Sequence, residues 1–159
     1  RMAKMNICPS VNAGIVAKNG GNYMRFYGKR NKYFGAVKSM LQAGVKCSLQ
    51  SDSPSGPFGF ECIDGAVNRY DRVRNIQCDT TQAVSVLEAV RIATLNGAYA
   101  SFEENIKGSI EVGKLADIIV LDRDILAMDK FDLYKVNVDL TMIDGEICYL
   151  RECAKDSFN

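Results

Sequence analysis

Apolar positions fall in short blocks whose spacing changes along the chain, and those changes mark out the elements. Phe34, Val37, Met40 and Leu41 recur at steps near three and four, which predicts a helix from Tyr33 to Ala43 stopped by Gly44. The run Val45 to Leu49 follows at once and reads as a short buried strand. Asn6 to Val11 reads the same way, with Pro9 suited to a strand end. Strand, helix and strand with short joints predict two parallel strands linked by a right-handed crossover. Arg1 to Met5 reads as the end of a helix, and the polar, glycine-bearing stretch Asn19 to Arg25 as a loop.

After a stretch rich in Ser, Pro and Gly (residues 53–59), a helix is expected near Cys62 to Arg72. A stronger helix spans about Thr81 to Leu95, where Ala83, Val86, Leu87, Val90 and Ala93 form one apolar stripe. Asp79 or Thr80 can cap its start, and Asn96-Gly97 is expected to end or break it. The pattern then changes. Leu115 to Leu121, Val136 to Met142 and Glu146 to Leu150 read as strands, with Asp144-Gly145 as a hairpin turn between the last two. A domain boundary is placed near Asn105 to Gly108. Residues 1–105 alternate helix and strand, and residues 106–159 are antiparallel β with a loose polar tail from Arg151.

Composition narrows the classes. Of 159 residues, 47% are hydrophobic and 25% charged, enough for a real core. A net charge of +1 argues against a general nucleic-acid binder, and the cluster Arg69, Arg72, Arg74 reads as a solvated face. No apolar run is long enough for a membrane-spanning helix. The six cysteines form no CxxC pair, so free thiols and a cytoplasmic home are expected rather than a disulfide framework or a cysteine zinc site. The chain has no histidine.

The chemistry-bearing candidate is Asp52. Ser51-Asp52-Ser53-Pro54 sets a carboxylate just past the predicted strand Val45–Leu49, although alone such a sequence is more often an Asx turn or helix start. Arg69 is either a partner for a substrate carboxylate or a surface helix charge. Gly113-Lys114 and Asp117 read as turn and backbone-bonding residues ahead of a core strand.

Taken in order, Ser51-Asp52-Ser53-Pro54, Gly65-Ala66-Val67-Asn68-Arg69, Glu88 to Ala98, Gly108-Ser-Ile-Glu-Val-Gly-Lys-Leu-Ala-Asp-Ile-Ile-Val-Leu-Asp122 and Thr141 to Glu146 resemble the C-terminal part of an amidohydrolase-superfamily metal hydrolase. The branch is the one holding N-substituted formamide deformylases and exoenzyme regulatory proteins. The resemblance implies an α/β fold: about the last two strand-helix units of a (β/α)8 TIM barrel, then strands of a small β-sandwich. It implies hydrolysis of non-peptide C–N bonds in a small amide-like substrate by a metal-activated water, with Asp52 as metal ligand and general base. In the loop after the family's seventh strand, Asn12, Tyr23 and Arg25 become candidate substrate contacts, although the family often shows Gln-Pro where this chain reads Asn12-Ala13. The divalent metal, expected to be zinc, draws its histidines from earlier strands. This chain alone is therefore expected to hold no stoichiometric metal and to be inactive. Its expected partner is the N-terminal remainder of the same protein, with homo-oligomerisation to cover open edges. Two other readings stand beside this one: a non-catalytic regulatory or binding module on the same scaffold, and a small α/β domain with an accidental likeness.

Overall fold

The computed structural model describes residues 1–54 and 59–158. Strand β1 (Ser10–Val11) pairs in parallel with β2 (Ser48–Leu49), in the register Ser10 to Ser48 and Val11 to Leu49. The ladder extends through Ser48 N–H to the Pro9 carbonyl (3.0 Å) and Gln50 N–H to the Val11 carbonyl (3.1 Å). Both expected strands are thus present but shorter. Their connection runs through α1 (Ile15–Tyr27), a 3-10 helix (Gly28–Tyr33) and α2 (Val37–Gln42). Gly44 stops α2 as expected. Its N–H bonds the Leu41 carbonyl and Val45 N–H bonds that of Met40, both at 2.9 Å, which closes a Schellman motif.

Asn19 to Arg25, expected as a loop, lies inside α1. Its glycines are poor helix formers, but here they are spacers. A Cβ on Gly20 would sit 2.3 Å from Cys78 Sγ, and Gly21 N–H reaches Asp71 Oδ2 at 2.9 Å. The face that α1 meets was not foreseen: α3 (Phe60–Asn68) ends four residues before the expected Arg72. An antiparallel hairpin of β3 (Tyr70–Asp71) and β4 (Ile76–Gln77) follows it.

Helix α4 (Val86–Ala93) is shorter than expected and is capped by Ser85, not by Asp79 or Thr80. Ser85 Oγ accepts the Glu88 N–H at 3.2 Å, and the Glu88 carboxylate accepts the Ser85 N–H at 2.8 Å, a full capping box. Asp79 instead accepts both the Thr81 N–H and the Thr81 hydroxyl. The chain breaks helix at Thr94 and resumes as α5 (Leu95–Ala100), so Asn96-Gly97 continues a helix rather than ending one. Asn96 is buried, and its side-chain amide donates to the Cys47 carbonyl at 2.8 Å, which holds the approach to β2.

From β5 (Ile118–Leu121) onward the chain is antiparallel β. It forms a three-stranded sheet ordered β5-β6-β7, with β6 at Val138–Ile143 and β7 at Glu146–Leu150. Asp144 and Gly145 turn the β6-β7 hairpin with φ of 49° and 83°, matching the expected turn. From Arg151 to Phe158 the tail is not loose. Glu152–Ser157 forms a 3-10 helix, Ala154 is buried, and the Arg151 guanidinium pairs with Asp139 and, at 3.8 Å, Asp122. The main core gathers Val11, Cys47, Ile63, Ala66, Ile92 and Leu133 between the parallel pair, α3 and α4. Among the described residues no cysteine is joined in a disulfide; burial pushes the thiols of Cys47, Cys62 and Cys78 up. Among the described residues no helix is long and apolar enough to cross a membrane.

Candidate functional site

Parallel pairing sets the C-terminal ends of β1 and β2 on one edge, and two of the candidate side chains follow those ends. The bond from Gln50 N–H to the Val11 carbonyl is the last rung. One residue beyond Val11 is Asn12; two beyond Gln50 is Asp52. Asn12 Oδ1 accepts the Ile15 N–H at 3.0 Å, so its side chain starts the turn into α1. Asp52 takes a left-handed backbone (φ 57°) and is exposed. Among the described residues it has no hydrogen-bond or ion-pair partner, so its carboxylate oxygens are available to a ligand or a proton.

The other candidates lie away from that edge. Tyr23 sits on α1 with its ring stacked on Phe34 (centroids 4.0 Å apart, planes 5° apart) and tilted against Tyr27. Burial, with Tyr27 beside it, raises its phenol above the ordinary value. Arg25, also on α1, is exposed and lies 5.3 Å over the Phe26 ring. Arg69 is 1% exposed and is not a surface helix charge. It ends α3 in a left-handed turn, and its guanidinium donates to the carbonyls of Asp79 (2.6 Å) and Gly35 (3.3 Å). Burial holds its pKa below the ordinary arginine value. Gly35 in turn lies against Ala13, where an added Cβ would be 3.3 Å from the Ala13 Cα. Arg69 therefore fixes the point where the excursion 14–34 returns beside the end of β1.

One buried polar cluster was missed from the sequence. Asp64, 1% exposed, accepts from Arg72 Nε (3.0 Å), Arg72 Nη2 (2.6 Å) and Asn68 Nδ2 (2.7 Å). Asn68 and Arg72 also donate to the carbonyls of Lys130 and Phe131, and the Arg72 guanidinium lies 4.3 Å over the Tyr134 ring. The cluster straps the 3-10 helix Lys130–Lys135 onto α3. Its signal was an acid in an otherwise apolar run, Cys62-Ile63-Asp64-Gly65-Ala66.

The donors present do not complete a metal site. There is no imidazole, and among the described residues no three Cys, Asp or Glu side chains converge. One exposed carboxylate can accept a proton or add one ligand to a site built mainly by other residues. Two open clefts, of about 420 and 330 Å³, lie elsewhere, and Asp52 lines neither.

Comparison with known proteins gives this geometry a context. The amidohydrolase family model matches residues 1–149. The chain is 35% identical over 153 residues to the N-substituted formamide deformylase of Arthrobacter pascens, covering 95% of this chain and 28% of that one. Among solved structures, it resembles an uncharacterized metal-dependent hydrolase from Pyrococcus furiosus (TM-score 0.61, 26% identity, 79% of this chain and 25% of that one). It also resembles an adenosine deaminase from Xanthomonas campestris with bound zinc (TM-score 0.56, 26% identity, 74% and 28%). The chain thus spans under a third of the length of these relatives.

Proposed function

Because this chain belongs to the amidohydrolase family, we propose that it is the C-terminal portion of a metal-dependent hydrolase of non-peptide C–N bonds, with Asp52 as its catalytic carboxylate. The observation that carries this reading is Asp52, exposed and without a partner among the described residues, just past the last rung of the parallel pair. That is the edge on which barrel enzymes keep their chemistry. In this reading residues 1–105 supply the last two strand-helix units of a (β/α)8 barrel, and residues 106–159 supply strands of a β-sandwich. A divalent ion, with zinc as the expected species, would supply a water of lowered pKa, held mainly by residues outside this chain. Asp52 would take a proton from the attacking water and return it to the departing nitrogen of an amide-like substrate. Asn12, on the same edge as Asp52, is the substrate contact this reading keeps; Tyr23 and Arg25 stand farther along α1, and Arg69 holds the backbone where the excursion 14–34 returns beside β1. A cytoplasmic setting, with the N-terminal remainder of the protein as partner, belongs to the same proposal.

The test is Asp52→Asn in the complete enzyme, assayed on N-substituted formamides and related amides. The amide keeps the size of the side chain but cannot take a proton. We expect kcat to fall roughly 100- to 10,000-fold, the usual worth of a general base, with the circular dichroism spectrum unchanged. Near-wild-type kcat in the folded variant removes Asp52 from the mechanism. A complete wild-type protein that binds amides without turning them over favours the non-catalytic module.

A further inference from the structure

Charge along this chain is strongly segregated. Residues 1–51 hold nine of the twenty Lys and Arg and not one acid; all nineteen Asp and Glu lie from Asp52 onward. Four of the nine cations, Arg25, Lys29, Arg30 and Lys32, fall within eight residues at the end of α1 and in the 3-10 helix Gly28–Tyr33. Among the described residues none of the four makes an ion pair. Arg25 and Lys32 lie over the neighbouring rings of Phe26 and Tyr33 instead.

The 3-10 geometry makes this more than a run of charges. With three residues per turn, positions 29 and 32 eclipse each other, so both lysine side chains leave the turn on one face. That face borders the cleft of about 420 Å³ lined by Met24, Gly28, Lys29, Asn31, Lys32 and Asp79. Asp79, the one acid among the described lining residues, accepts two hydrogen bonds from Thr81 through Oδ1, at 2.9 and 2.5 Å, and also feels the charge of Lys32. Asn31 Nδ2 donates to the Gly28 carbonyl at 2.6 Å, which ties the turn beside the cleft. Lys29 and Lys32 outnumber Asp79 in this lining, so the cleft keeps a net positive charge that attracts an anion.

We propose that this cleft binds the oxyanion group of a small molecule, a phosphate or a carboxylate, between Lys29 and Lys32. The site rests on its own geometry and is independent of the role of Asp52. Two sources share the chemistry: a free oxyanion, or a carboxylate carried by an N-acyl compound of the substrate type. Equilibrium dialysis of the complete protein against labelled inorganic phosphate and, separately, labelled N-formylglycine distinguishes them. One of the two is expected to be retained saturably at about one per chain. Retention should weaken at least about tenfold in Lys29→Gln/Lys32→Gln and survive in Lys29→Arg/Lys32→Arg, as two charge-assisted contacts require. Phosphate retention points to a free oxyanion ligand, and retention of N-formylglycine alone to a substrate-type carboxylate. Retention of neither, or retention indifferent to the glutamine variant, overturns the site. Both outcomes can be read whether or not Asp52 proves catalytic.

Discussion

Asp64 stands in an apolar stretch of α3 and is 1% exposed, and Arg72 and Asn68 donate to its oxygens. Removing one partner of such a pair leaves the other charge desolvated without compensation. Asp64→Asn is expected to lower the stability of the chain by about 3 kcal/mol, read from the urea midpoint. A loss within experimental error would mean that Arg72, whose side chain is 24% exposed, escapes to water instead. Two other carboxylates make stability depend on acid. Burial pushes Asp71 up, but the N–H groups of Gly21 and Arg74 and the Arg74 guanidinium outweigh it, leaving the carboxyl below its ordinary 3.8. The Arg123 guanidinium, opposed by burial and helped by Asn137, holds Asp122 well below the ordinary range. In both, the folded value lies below the unfolded one. Their contribution is therefore complete above about pH 4 and is lost as pH falls through the folded values. The urea midpoint should drop below pH 4, and less steeply in Asp71→Asn than in the wild type. Parallel curves would show that Asp71 contributes nothing to the acid limb.

At the scale of elements, glycines in one short segment serve different physical ends. Gly108 has φ of 90°, and a Cβ there would lie 2.7 Å from the Ala98 Cβ and 3.1 Å from the Leu95 Cα, so the residue seats its segment on α5. Gly113 has nearly the same φ, 91°, but open space around it. Gly108→Ala should cost about 2–4 kcal/mol, the left-handed penalty plus overpacking, while Gly113→Ala should cost only about 1–2. Equal urea midpoints for the two variants would contradict this packing role. Lys114 shares the logic: its ammonium donates to the Glu104 carbonyl and Ser109 Oγ at 2.6 Å each, so it closes a loop. Asp117 Oδ1 accepts the Asp144 N–H at 3.0 Å, the backbone bond expected of it.

For the molecule as a whole, the exposed apolar surface decides behaviour in solution. Val112 and Ile110 stand fully or almost fully in water, and Ile119, Ile143, Ile147 and Tyr149 are all exposed on or beside the three-stranded sheet. Strands β1 and β2 each pair on one side only among the described residues. Apolar faces and unpaired strand edges of this kind favour association. Sedimentation of the purified chain should show species above the 17.5 kDa monomer, diminishing when the remainder of its protein is supplied. A monodisperse monomer that unfolds cooperatively would establish these residues as an autonomous domain.

What the sequence determined by itself was whatever local chemistry settles. Gly44 ends α2, Asp144-Gly145 turns the hairpin, Glu146–Leu150 is a strand, and Asp52 follows the second of two parallel strands, because each depends on a few adjacent residues. Tertiary structure decided the rest wherever a distant partner outweighed local preference. Asn19 to Arg25 is helical because Asp71 and Cys78, fifty or more residues away, fill the space beside its glycines. Asn96-Gly97 continues a helix because Asn96 bonds the Cys47 carbonyl across the core. Arg69 is inside because the carbonyls of Gly35 and Asp79 meet there and replace the water its guanidinium gives up. The segregated cations became a candidate site only once a 3-10 turn placed Lys29 and Lys32 on one face. Sequence spacing carries local geometry; partners from opposite ends of the chain are chosen by packing.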